Sequence, residues 1–200
     1  MSLVERLHEG FVFPRRVRIL SQRIAPLLPG RGRVLDLGCG DGHIAAAVQA
    51  LRPELTLRGA DVLVRPKTRI DVDPFDGATL PYSDRSFDAV MIVDVLHHTD
   101  DPARILREAR RVCGGVVVIK DHLSDPWLGR ARLTLMDVVG NARHGVHLAN
   151  AYWERARWHA AFRELALKEE SWNEQLGLYP RPLRWLIEDS LHFLALLSVA

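Results

Sequence analysis

Apolar and polar positions follow two periods along this chain. From Val17 to Leu28 the apolar residues recur about every 3.6 positions, as on an amphipathic helix, and Pro29-Gly30 stops it. Arg33 to Leu37 then reads as a strand, Asp41 to Leu51 as a helix ended by Pro53, and Leu55 to Ala60 as a second strand closed by Asp61. A polar, proline-interrupted connection from Val64 to Ile70 leads to a short third strand at Arg69 to Val72. Phe87 to Val93 is nearly continuous in apolar residues, as a strand buried on both faces is. Pro102 opens a helix through Arg111, and Gly114-Gly115 reads as a turn. Val116 to Ile119 forms a β-branched fifth strand that delivers Lys120, Asp121 and His122 to its tip.

Beyond residue 122 the pattern predicts a helix over Pro126 to Val139, a long loop over Gly140 to Asn150 and a helix over Tyr152 to Leu165. Leu167 to Leu176 and Leu191 to Val199 make a closing antiparallel pair. Strand and helix alternate through residue 122, so the expected fold is α/β, a mostly parallel sheet with helices on both faces.

Composition changes this picture little. Two hundred residues, 48% hydrophobic and 26% charged, suit one soluble domain with a sizeable core. The net charge of +2 and the even spread of the 27 cationic residues argue against a dedicated nucleic-acid surface. Arg15-Arg16-Val17-Arg18 reads as a solvated helix face. Cys39 and Cys113 have neither metal-ligand spacing nor a disulfide framework, so no metal site is indicated and a reduced, cytoplasmic setting is expected. The longest apolar run, Phe193 to Ala200, is far short of the roughly 20 residues that span a bilayer.

The chemistry gathers at Leu35-Asp36-Leu37-Gly38-Cys39-Gly40-Asp41-Gly42. A glycine-rich turn between a strand and a helix lets backbone approach a nucleotide-like ligand, and the helix start adds unpaired N–H groups. The spacing is Gly-x-Gly-x-Gly, not the dinucleotide Gly-x-Gly-x-x-Gly, and Asp36 would repel a diphosphate while suiting a ligand with ammonium and sulfonium charges. The stretch resembles the first motif of the class I S-adenosylmethionine-dependent methyltransferases. Asp61 lies 21 residues beyond Gly40, near the offset of about 20 for an acid that takes a ribose diol. Asp76-Gly77-Ala78-Thr79-Leu80-Pro81-Tyr82 and Asp94-Val95-Leu96-His97-His98 resemble later motifs of that family.

The resemblance implies a Rossmann-like, seven-stranded sheet with a final antiparallel strand. It also implies S-adenosylmethionine as cofactor, S-adenosylhomocysteine as product and a small-molecule methyl acceptor. Asp36, Gly38, Gly40, Asp61, Asp76, Gly77 and Asp94 would hold the cofactor, Asp76 accepting from the adenine amino group and the Gly77 N–H donating to the ring. Candidate bases at the strand tips are Asp94, His97, His98 and His122, with His144 and His147 in the long loop; His98 and His122 lead as a pair. Residues 1–200 form one domain: an arm and helix over 1–30, a cofactor-binding core over 31–122, a substrate lid over 123–165 and closing strands over 166–200. The N-terminal arm through Pro14 joins the Gly140 to Asn150 loop as lid material. A nicotinamide-binding oxidoreductase accounts for the first strand and Asp61 but poorly for Asp36 and Asp76-Gly77. A non-catalytic cofactor-binding module serving a partner subunit is the other alternative. The methylated atom and the oligomeric state are open at this level.

Overall fold

In this computed structural model the described residues are 13–125, 133, 152–179 and 191–199. The N-terminal arm up to residue 12, the Gly140 to Asn150 loop with His144 and His147, and nearly all of the Pro126 to Val139 helix lie outside them.

Seven strands form one sheet: β1 (Gly32–Leu37), β2 (Leu55–Asp61), β3 (Val72–Pro74), β4 (Phe87–Val93), β5 (Cys113–His122), β6 (Leu167–Asn173) and β7 (His192–Val199). Their order is β3-β2-β1-β4-β5-β7-β6. β7 runs antiparallel to both of its neighbours, and the other pairings are parallel. Among the described residues the α-helices are α1 (Phe13–Ile24), α2 (His43–Leu51), α3 (Pro102–Val112) and α4 (Arg155–Glu164). On one face, Leu20 and Ile24 of α1 and Ala45 and Val48 of α2 cover Val34, Met91 and Val118. On the other, Ile105 and Leu106 of α3 and Trp158 and Phe162 of α4 cover Leu35, Leu37, Val90, Ile92 and Ile119. Both faces of the central strands are therefore dry, which accounts for the unbroken apolar run in β4. No helix among the described residues is long and apolar enough to cross a membrane.

Local chemistry sets most boundaries, and three of the departures from the sequence expectation have a direct physical reason. α1 starts at Phe13 and gives way at Ala25–Leu27 to a tighter 3-10 turn containing Pro26, which lacks the N–H that a further α-turn needs. The third strand is Val72–Pro74, not residues 69–72, because the preceding segment is tied down elsewhere: the Arg69 N–H donates to the Asp41 carbonyl (2.9 Å). Pro74 is tolerated there because β3 is an edge strand. Gly114-Gly115 is not a turn but part of β5, which begins directly after α3. A Cβ on Gly115 would run into the Asp88 carbonyl oxygen, so the glycine permits the close approach of β4 at a register shift. α3 itself opens as read, with the Asp101 side chain accepting from the Arg104 N–H (3.0 Å) and Pro102 in the first turn.

Candidate active site

Parallel strands end together at one edge of the sheet, and the sequence-predicted residues divide there into two groups. The first surrounds the turn after β1. Gly38 and Gly40 have φ of +76° and +59°, values that favour glycine. A Cβ on Gly38 would overlap the Val95 side chain, which sets the turn against the tip of β4, whereas one on Gly40 would meet nothing within 4 Å. Asp61 ends β2 beside this turn, its Oδ2 accepting from the Gly40 N–H (2.7 Å) and its Oδ1 from the Leu63 N–H (2.9 Å). Asp36 lies buried in β1. Burial, and then the neighbouring Asp61 carboxylate, push its carboxyl up to about 8, so the proton stays on at neutral pH. Asp76 caps its own turn, Oδ1 accepting from the N–H groups of Ala78 (2.8 Å) and Thr79 (2.7 Å), and holds Gly77 at φ +77°. Val62, Leu63 and Val64, between Asp61 and the Asp76 turn, are exposed large apolar side chains.

The second group is a chain of charged and imidazole groups at the tips of β4 and β5. Asp94, at φ +56°, donates its N–H to the Lys120 carbonyl (2.8 Å). Its carboxylate is ion-paired with Arg16 of α1 on one oxygen and with the fully buried Lys120 on the other. Burial alone would raise the Asp94 carboxyl, but the Arg16 guanidinium and Lys120 ammonium override it and hold it well below the carboxylate range. Arg16 thus belongs to the site and not to a solvated helix face. Lys120 Nζ also meets His192 Nδ1 (3.1 Å), because β7 runs antiparallel and places its first residue opposite His122.

Asp121, fully buried, accepts from the N–H groups of Leu96 (2.9 Å) and His122 (2.8 Å), and its Oδ1 lies 2.7 Å from His97 Nδ1. Burial opposes its ionisation, yet the two histidines beside it hold the carboxyl below its usual range. His122 is pushed down to about 4, first by burial and then by the Lys120 charge. The expected neighbours His98 and His122 are separated by His97, whose ring lies 3.9 Å from His98 and 4.3 Å from His122 between centroids. His122 Nδ1 is 3.2 Å from His97 Nδ1 and its Nε2 is 3.6 Å from Asp94 Oδ1. His98 is partly exposed.

Sequence reasoning named Lys120 and Asp121 only as strand-tip residues and missed His192 altogether. An antiparallel last strand puts its N-terminal residue at the edge where the parallel strands end, and that is the signal by which His192 was findable. The absence of cysteine ligands had also pointed away from metal chemistry, yet two carboxylate-histidine clusters form here: Asp94, His122 and His192, and His97, Asp121 and His122. A cavity of about 680 Å³ lies at the opposite edge, lined by Arg85, Arg107, Arg110, Arg111 and Glu164, far from these groups in the sheet.

A sequence profile described as a methyltransferase domain matches residues 8–179. The chain is 32% identical to 27-O-demethylrifamycin SV methyltransferase of Amycolatopsis mediterranei, over 89% of this chain and 72% of that protein. It is 36% identical to the ubiquinone/menaquinone biosynthesis C-methyltransferase UbiE of Desulfotalea psychrophila, over 46% of this chain and 42% of that protein. Its fold superimposes on an S-adenosylmethionine-dependent methyltransferase from Thermotoga maritima with a TM-score of 0.68 at 20% identity, covering 98% of this chain and 94% of the other. Strand order, glycine turn and sequence similarity converge: the chain belongs to the class I S-adenosylmethionine-dependent methyltransferases.

Proposed function

We propose that this methyltransferase acts on a hydroxyl oxygen of a small organic acceptor, with the cofactor held by the first group of residues and the acceptor met by the histidines of the second. The observation that carries the reading is that the Gly38–Gly42 turn with Asp61 and the Asp94-His97-His98-His122 cluster share one sheet edge, in contact through Gly38 and Val95. The Amycolatopsis relative is a 27-O-demethylrifamycin SV methyltransferase, and its 27-O-demethyl substrate supports oxygen as the target.

The cofactor fits the residues present. The space over Gly40 admits it. Asp61 has lone pairs beyond the two given to backbone N–H groups, enough for a ribose diol. Val62, Leu63 and Val64 offer a shelf for the purine, with Asp76 and the Gly77 N–H at its edge. The Arg16–Asp94 ion pair complements the carboxylate and ammonium of the amino-acid end. When bound, S-adenosylmethionine would supply an electrophilic methyl carbon on a sulfonium, whose transfer to a hydroxyl oxygen would leave a neutral thioether. The positive charge of that group would lie near Asp36. A nearby positive charge favours its ionised form, so cofactor binding at pH 7 is expected to release a proton, read by calorimetry in buffers of different ionisation enthalpy. Proton-neutral binding would place the cofactor's charge away from Asp36.

On the acceptor side, His98 is the residue assigned to take the hydroxyl proton, since both ring nitrogens of His122 already face protein groups. His122 serves as its support through His97. His98→Ala is expected to lower turnover by about 10²–10⁴-fold with nearly unchanged affinity for S-adenosylhomocysteine. His122→Ala is expected to lower the melting temperature as well. The assay uses tritium-labelled cofactor against a panel of phenols and alcohols. A folded His98→Ala protein with the parent rate would remove the base from the mechanism and leave positioning alone.

A further inference from the structure

Two imidazoles and one carboxylate converge at the tips of β4 and β5 in a way that proton chemistry alone does not require. His97 Nδ1, His122 Nδ1 and Asp121 Oδ1 form a triangle with sides of 2.7, 3.2 and 3.5 Å. All three side chains are at most 7% exposed. A tetrahedral ion with nitrogen and oxygen ligands at about 2.0–2.1 Å separates them from one another by about 3.3 Å. We propose that Asp121, His97 and His122 bind a divalent transition-metal ion of the zinc class through these three atoms.

The surroundings are those of a ligand set and not of a chance meeting. A metal-bound histidine almost always turns its second nitrogen to a carboxylate or carbonyl. His122 Nε2 faces Asp94 Oδ1 at 3.6 Å, and Asp94 is anchored in turn by Arg16 and Lys120. The Asp121 carboxylate is oriented by the Leu96 and His122 N–H groups, which fix the turn carrying His97. The overlapping cluster of Asp94, His122 and His192 is a poorer candidate, because Lys120 Nζ already supplies a cation there, bonded to Asp94 and His192. Two histidines and a carboxylate leave coordination positions for water or an acceptor oxygen, and an ion so placed polarises a hydroxyl and lowers its pKa. That purpose rests on the methyl-transfer reading; the binding of the ion does not.

The test titrates Co²⁺, and then Zn²⁺, into the chelator-treated full chain carrying no affinity tag. One Co²⁺ per chain is expected, with the visible ligand-field bands of a low-coordinate nitrogen–oxygen site, displaced by one equivalent of Zn²⁺. His97→Gln and Asp121→Asn should abolish these bands. Asp94→Asn should weaken binding by about 10–100-fold, as loss of a carboxylate behind a ligand does. His159→Gln, on α4 beside Glu169, should leave binding unchanged and so controls for surface histidines. Circular dichroism and S-adenosylhomocysteine binding are recorded on the same preparations. No stoichiometric ion in the wild-type chain overturns the proposal, as does an ion that survives both ligand substitutions in folded protein. Failure to bind an ion alongside intact S-adenosylhomocysteine binding sinks this site alone, whereas loss of S-adenosylhomocysteine binding in the wild-type chain counts against the methyl-transfer reading instead.

Discussion

Asp121→Ala is expected to lower the stability of the chain by about 3–5 kcal/mol, because the buried N–H groups of Leu96 and His122 each lose their acceptor and an orphaned donor costs about 1–3 kcal/mol. For a chain of this size that is a fall in melting temperature of about 6–20 °C. His97 loses its partner as well, so the 3-10 turn at Leu96–His98 is the segment released. The loss has a pH signature. The folded-state carboxyl sits below its unfolded value, so its stabilisation is complete above an unfolded pKa of about 4 and drains away as pH falls further. The gap between wild-type and Asp121→Ala melting temperatures should therefore be constant from about pH 6 to 8, two units or more above that pKa, and narrow in acid. A variant that melts with the wild type would show that the buried carboxylate holds nothing. Asp121→Asn, which keeps one acceptor oxygen, should lose less.

Asp61→Ala carries the second large effect, chiefly on the cofactor. The proposed ribose contacts are bonds to a charged acceptor, each worth about 1.5–3 kcal/mol, so losing two weakens S-adenosylhomocysteine binding by at least a hundredfold, or about 3 kcal/mol. The same carboxylate also pins the Gly40 N–H at 2.7 Å, which adds disorder of the turn to the lost contacts. Asp76→Ala should cost less, since one neutral contact disappears while the Gly77 N–H remains. Its own bonds to the Ala78 and Thr79 N–H groups also make it the cap of a local turn. Calorimetric titration of the three proteins measures the order. Equal affinities for wild type and a folded Asp61→Ala protein would separate β2 from the binding edge.

What was legible in the sequence was what local patterns encode. The turn after β1 announces itself through glycine spacing, Asp61 through its offset, and β4 through an apolar run that only a doubly covered strand needs. What was illegible depends on partners distant in the chain. Arg16 sits on a periodic helix face, and nothing local says that its guanidinium meets Asp94, 78 positions away. His192 joins the cluster only because β7 pairs antiparallel with β5 and sets it opposite His122. Gly114-Gly115 looks like a turn by local preference, but the close backbone of Asp88 makes it a strand. That His97 stands between His98 and His122 was illegible for a similar reason. A 3-10 turn, not a helix or strand, carries both rings and brings His97 inward to the Asp121 carboxylate. Sequence periods predict which face an α- or β-residue takes; a single 3-10 turn has too few residues to show one.

We place S-adenosylmethionine and its demethylated product at the edge formed by the Gly38–Gly42 turn, Asp61 and the Asp76 turn. Titrating S-adenosylhomocysteine and, separately, NAD into the purified chain tests it most directly. The expected result is one S-adenosylhomocysteine per chain with a dissociation constant near the micromolar range, roughly −8 kcal/mol, and no comparable heat from NAD. Tight NAD binding with no heat from S-adenosylhomocysteine would contradict it.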